Sequence, residues 1–151
     1  MGIEKDINQH HFASEGQKAV INLIYTSNWI TEHIKTVLEE QGITHQQFNI
    51  LRILRGSDPQ PLSTLTIRER MLDKMSDTSR IVDRLVIKGL AIKKVSTTDK
   101  RLVDVNITNE GKRILEILDK KQSEMNSVTK NLTDAELKQL NTLLDNLRSP
   151  L

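Results

Sequence analysis

One stretch constrains this chain more than any other. Residues 62–108 read LSTLTIRERMLDKMSDTSRIVDRLVIKGLAIKKVSTTDKRLVDVNIT. A short helix-period run, a break, a longer run, then two alternating segments joined by charged residues predict helix, turn, helix and two strands. The same stretch gathers charge. From Leu62 to Arg101 there are ten basic residues against five acidic ones, a net of +5, while the whole chain carries only +2 and the remainder therefore −3. A fold that accepts these residues places a basic helix beside a basic hairpin.

The flanks are helical. Over 14–41, Val20, Leu23, Ile24, Ile30, Ile34, Val37 and Leu38 fall near i, i+3, i+4 and i+7, with Ser14 as the N-cap and Gly42 as the stop. Residues 1–13 are polar and are expected to be a loose lead-in. The long helix exceeds what a compact globule of 151 residues needs, so part of it is expected to pack on another chain. Thr44 and Gln47 form a capping box for a second helix carrying Phe48, Ile50, Leu51, Ile53 and Leu54 to Gly56. Pro59 and Pro61 forbid helix in the turn that follows.

Within 62–108, Leu62 and Ser63 can make a very short strand, and Ser63 or Thr64 caps a short helix to about Met71. Asp73 is the expected cap of the next helix, with Ser76 and Asp77 in its first turns, where acids suit the dipole. Met75, Ile81, Val82, Leu85 and Val86 are its expected inward stripe, and Gly89 ends it. The strands are 90–96 and 102–107, the second alternating cleanly through Val103, Val105 and Ile107, with Thr97-Thr98-Asp99-Lys100-Arg101 as the tip between them. Thr108 and Asn109 cap a helix expected to continue to about Asn131 through Ile114, Leu115, Ile117, Leu118, Met125 and Val128. Thr133 and Glu136 form a second capping box, opening a last helix with Leu137, Leu140, Leu143, Leu144 and Leu147. The expected class is mainly α with a small β-hairpin.

Several functions are excluded or disfavoured. The chain has no cysteine, which removes disulfides, thiolate zinc sites, a cysteine nucleophile and a thiol sensor. It has no Gly-rich phosphate loop, nucleophile elbow or His-Glu-x-x-His, so neither an enzyme nor a cofactor is expected. His10 and His11 lack the acidic or thiolate company of a metal site. The polar start is no signal peptide, and Asp6 breaks the myristoylation pattern. No apolar run approaches the ~20 residues that span a bilayer; 19–25 is interrupted by Asn22. A cytoplasmic protein without membrane contact is the expectation, and the sequons at Asn106 and Asn131 carry no meaning there. Aromatics at 3% argue against base-stacking platforms for single strands.

A short helix, a tight turn, a basic second helix and a β-hairpin are the signature of a winged helix-turn-helix, which binds double-stranded DNA. Small polar residues (Ser63, Thr64, Ser76, Thr78, Ser79) permit close approach. Lys74, Arg80 and Arg84 can meet phosphate or guanine, and Lys100 and Arg101 can reach the minor groove. Asp77 can accept from cytosine N4 or merely cap. The bland alternative is a solvated basic helix face. A different function would be a helical protein-interaction module or anti-regulator, which needs neither the basic helix nor the wing.

Three motifs then resemble a known family in the right order and spacing. Ser79-Arg80-Ile81-Val82-Asp83-Arg84-Leu85-Val86-Ile87-Lys88-Gly89-Leu90 is similar to the helix core of the MarR-type regulators, the multiple antibiotic resistance regulator family. Asp99-Lys100-Arg101 resembles their D-x-R wing motif, and Ile107-Thr108-Asn109-Glu110-Gly111 their L-T-x-x-G, with Ile in place of the commoner Leu. The resemblance implies a winged helix-turn-helix lobe at 42–108, an N-terminal dimerisation helix with its lead-in at 1–41, and C-terminal dimerisation helices at 109–151. It implies a homodimer on a pseudo-palindromic operator, usually a repressor relieved by a small-molecule effector. Arg101 is then the wing arginine, Asp99 the acid that orients it through Arg101 or Arg80, and 74–84 the reading helix. The family's ligand pocket suggests Trp29, His33 and Phe48, residue types that in helical stripes also serve simply as core or packing.

Overall fold

The computed structural model describes residues 2–150. Met1 and Leu151, the outermost residues of the expected lead-in and of the expected C-terminal part, lie outside the described residues. Among the described residues, eight α-helices, one 3-10 turn and three strands follow in the order α1 (Ile3–Asp6), α2 (Glu15–Glu39), α3 (His45–Ser57), β1 (Leu62–Ser63), α4 (Thr64–Arg70), α5 (Thr78–Ile87), β2 (Ala91–Val95), β3 (Val103–Ile107), α6 (Asn109–Asp119), α7 (Gln122–Met125), the 3-10 turn Asn126–Thr129, and α8 (Asp134–Arg148). No described helix is long and apolar enough to cross a membrane.

The caps set these boundaries. Ser14 accepts from the Gln17 N–H, and both capping boxes close, Thr44 with Gln47 and Thr133 with Glu136. Gly42 and Gly89 take positive φ, +64° and +72°, turning the chain after α2 and α5 where a side chain would be strained. The sheet is antiparallel with β3 in the middle, Leu62 opposite Val105 and the run from Ala91–Ile107 to Val95–Val103 in register.

The core belongs to the lobe. Ile50, Leu51 and Leu54 of α3 are fully enclosed by Ile67, Met71, Val82, Leu85, Val105, Leu115 and Leu118, with Leu38 of α2 closing one side. The α6 helix is therefore part of this packing. Arg55 of α3 clamps Asp119 with two hydrogen bonds of 2.6 and 3.1 Å, and Lys112 reaches Asp58 at 2.6 Å. Gly111 shows why the Thr108 motif ends in glycine. A Cβ there would lie 2.4 Å from the Leu90 carbonyl oxygen, while Thr108 itself donates to Gly89 O at 2.7 Å. The first turn of α6 thus rests directly on the end of α5.

Three expectations need correction. The lead-in is not wholly loose: α1 forms, Ile3 is buried, Glu4 pairs with Lys18, and the Lys18 ammonium sits 5.9 Å over the Phe12 ring. The basic helix starts at Thr78 rather than beside Asp73. Asp73 accepts from the Met75 N–H within a local turn, Asp77 caps α5 through the Arg80 N–H, and Met75 is 92% exposed instead of buried. The helix after Thr108 is not continuous to Asn131. It ends at Asp119, and the chain proceeds as α7 and the 3-10 turn, with the Glu124 carbonyl of α7 2.9 Å from His33 Nε2 of α2.

Candidate nucleic-acid interface

Of the ten basic residues in 62–101, four are engaged within the chain. Lys74 donates to the Glu69 carbonyl, Lys88 to the Gly42 carbonyl and Gln47, Lys93 pairs with Asp83, and Arg101 forks onto Asp99. Lys88 and Lys93 serve the lobe, tying α5 to the α2–α3 turn and to β2. Arg68, Arg70, Arg80, Arg84, Lys94 and Lys100 are exposed and make no side-chain bond among the described residues. They are spread over α4, α5 and the hairpin.

Two clefts run beside the start of α5. One, about 440 Å³, is lined by Thr64, Leu65, Arg68, Ser76, Asp77, Thr78 and Ser79. The other, about 360 Å³, includes Thr44, Gln46, Asp73, Met75, Asp77, Arg80 and Arg84. Asp77 borders both. Thr78, one of the small polar residues expected to permit close approach to DNA, is only 3% exposed because it opens the inward stripe with Val82 and Leu85. The Thr78 and Ser76 hydroxyls are buried without a hydrogen-bond partner, unusual for buried polar atoms. Ser63 is half-buried, and its hydroxyl caps the Thr66 N–H at 3.1 Å, so it orients α4 rather than standing free. Ser79, Arg80 and Arg84 are exposed, with Ser79 beside the half-buried Thr64 in the first cleft and Arg80 and Arg84 in the second.

The hairpin tip is ordered by its own residues. Asp99 accepts from the Arg101 N–H at 3.0 Å and from Nε and Nη2 at 3.1 Å each, while Ser96 is buried and receives the Thr98 and Asp99 N–H groups. These bonds to Arg101 hold the Asp99 carboxyl below the usual carboxylate range. The Arg101 side chain is nevertheless 89% exposed. A fork that preorients a guanidinium while leaving it in water fits a group waiting for an anion. Of the two partners open to Asp99, the structure selects Arg101.

Trp29 and His33 lie one turn apart on α2, but none of the clefts described is lined by Trp29, His33 and Phe48 together. Phe48 is in the core with the Arg52 guanidinium 5.6 Å over its ring. His33 bonds Glu124 O and Ser127. Trp29 is 53% exposed and borders a separate cleft of about 410 Å³ with Asp6, Asn22, Tyr25 and Thr26. A cleft of about 320 Å³ lies instead between α2 and the lobe, lined by Ser27, Thr31, His45, Gln46, Asn49, Met71, Leu72 and Asp73. Sequence reading missed this cleft, whose residues have no common motif. It also passed over Arg68, Arg70 and Lys94 as site residues, though the charge count contained all three; the spacing of Arg68 from Thr64, one turn apart, was the available signal.

At the opposite end, α8 buries no residue at all. Leu140, Leu143, Leu144 and Leu147 face Ala19, Asn22, Leu23 and Thr26 of α2 across an open apolar cleft of about 390 Å³. Val20, Ile24, Tyr25 and Trp29 on α2 are also exposed.

The model of the MarR family matches residues 43–103. The chain is 27% identical over 126 residues to the HTH-type transcriptional regulator MhqR of Bacillus subtilis, covering 83% of this chain and 84% of that one. It is 32% identical over 103 residues to the HTH-type transcriptional repressor MdtR of the same organism, covering 68% and 65%. Among solved structures, a mutant MarR of E. coli complexed with operator DNA superposes with a TM-score of 0.76 at 27% identity, covering 85% of this chain and 92% of that one. A MarR-like protein of Bacillus cereus, 18% identical, shares the fold with a TM-score of 0.80, covering 89% and 96%.

Proposed function

Because this chain belongs to the MarR family of winged-helix transcription regulators, we propose that it is a cytoplasmic, ligand-responsive repressor that binds a pseudo-palindromic operator as a homodimer. The observation that carries the DNA part is the set of exposed cations without a side-chain partner among the described residues, Arg68, Arg70, Arg80, Arg84, Lys94 and Lys100, joined by the exposed fork of Arg101. The front end of α5 enters the major groove, with Arg80 and Arg84 toward base edges and phosphate. Thr64, Ser79 and Arg68 contact the backbone at the cleft beside α4. The hairpin lays Lys100 and Arg101 along the adjacent minor groove.

The lobe 42–108, with α6 packed into its core, reads DNA, and the flanking parts 1–41 and 109–151 hold two lobes together through α2 and α8. The exposed apolar residues of α2 and α8 support this division. Two recognition helices then stand about one helical turn apart, ~34 Å. For the effector, the cleft between α2 and the lobe is better placed than Trp29, His33 and Phe48. It contacts α2, α3 and the turn before α5 at once, so filling it changes the spacing of the two reading helices.

The deciding measurement is binding to genomic duplex fragments against salt. A dimer neutralising about six phosphates or more loses on the order of 10³-fold in affinity between 50 and 200 mM salt. Salt-insensitive binding, or none to any fragment, sinks the DNA-binding reading. A monomer in sedimentation at micromolar concentration sinks the dimer.

A further inference from the structure

Asp77 puts a carboxylate in the middle of the basic face. It forms the ridge between the two clefts, with Arg68 in one and Arg80 and Arg84 in the other. Its carboxylate makes one hydrogen bond among the described residues, from the Arg80 N–H to Oδ1 at 3.2 Å. That bond fixes the carboxylate's orientation and leaves Oδ2 free. The residue is exposed, and it stands at the N-terminal end of α5, the end of a recognition helix that meets base edges.

Against the phosphate backbone a free carboxylate is repulsive. In the major groove it is favourable only opposite an amino group. Guanine presents two acceptors there, and thymine an acceptor and a methyl group. Adenine offers the N6 amino group, but with the N7 acceptor beside it, an arrangement suited to the mixed donor and acceptor of an amide. Cytosine presents the N4 amino group alone. We propose that Asp77 is a specificity-determining residue whose Oδ2 accepts from a cytosine N4 amino group at one position in each half-site. Capping and reading are compatible because they use different oxygens. The proposal rests on the DNA-binding reading above.

The test is selection of bound sequences from a random duplex pool by the native chain, Asp77→Asn and Asp77→Ala. Asparagine is as good a cap as aspartate, so Asp77→Asn is expected to melt at the native temperature. The native chain is expected to fix cytosine at one position and its symmetry mate. In Asp77→Asn the one amide oxygen stays on the Arg80 N–H and an NH2 donor replaces the free acceptor, so the preference at that position leaves cytosine for the acceptors of guanine or thymine, by roughly ten-fold in relative affinity. Asp77→Ala loses preference there alone and binds unrelated duplex more tightly, because a repulsive charge has gone. If both variants select the native motif unchanged at every position, even with weaker binding overall, Asp77 is a cap and the proposal is overturned. A native chain that enriches no duplex overturns the DNA-binding reading and this proposal with it.

Discussion

The front of the lobe and the α2–α8 end are both unfinished, in opposite ways. At the front, six cations around the start of α5 and along the hairpin make no side-chain bond among the described residues. At the other end, Leu143, Leu147, Val20, Ile24 and Trp29 stand in water. Solvated charges are comfortable in isolation, so a charged face tolerates a partner that comes and goes and is screened by salt. Exposed apolar area is not comfortable, at about 25 cal/mol per Å² left uncovered. The contrast teaches which partner is permanent. The apolar end calls for a constant one, in our proposal a second copy, and the charged face for a reversible one.

The largest expected effect breaks the apolar end. Leu143→Glu with Leu147→Glu removes two leucines whose burial contributes about 1.5–3 kcal/mol each and puts two carboxylates in the interface. Dimerisation should weaken by at least ~10²-fold, read by sedimentation, while circular dichroism keeps its helical signal because α8 carries no core residue. A variant that remains dimeric at native concentrations would remove α8 from the interface.

At the charged face the effects are smaller and divide by kind. Arg84→Ala is expected to lower affinity for the preferred duplex by about 1–3 kcal/mol if it reads a base, measured by titration on preferred and scrambled sites. An equal loss on both makes it a phosphate contact. Arg101→Ala should weaken every duplex alike and reduce the salt slope by about 1, with no change in melting temperature, since the fork with Asp99 is solvent-exposed. An unchanged slope would take the wing out of the mechanism.

The sequence made the lobe readable because its signals are local. Capping pairs such as Thr44–Gln47, the alternation of Val103, Val105 and Ile107, and the Asp99–Arg101 spacing are all written within a few residues, and all three appear in the structure. What was illegible depends on partners distant in sequence. Asp73 and Asp77 are equally good caps on paper; Asp77 caps α5 because the inward stripe begins at Thr78. The contact that ties α7 to α2 is made by His33, 91 residues before the carbonyl it binds. Burial of Thr78 and the cleft between α2 and the lobe are likewise products of packing rather than of pattern.

The smallest effect sharpens the comparison at the place where the two regions meet. His45 opens α3 and lines the cleft between α2 and the lobe, beside Asp73. Burial lowers its pKa from the ordinary histidine value, and the Asp73 carboxylate opposes this only in part. Its position in the first turn of a helix also disfavours a proton. The unfolded chain, with an ordinary pKa of about 6.5, therefore binds this proton more readily than the folded one. Stability is full above about pH 6.5 and declines as pH falls from there toward the lower folded-state pKa. His45→Gln should flatten the dependence of melting temperature on pH in that window and leave stability at pH 8 nearly unchanged. If the slope survives the substitution, another group titrates there. If it vanishes and operator affinity also loses its acid dependence, the protonation of one side chain between α2 and the lobe is felt at the charged face, as a spacing mechanism requires.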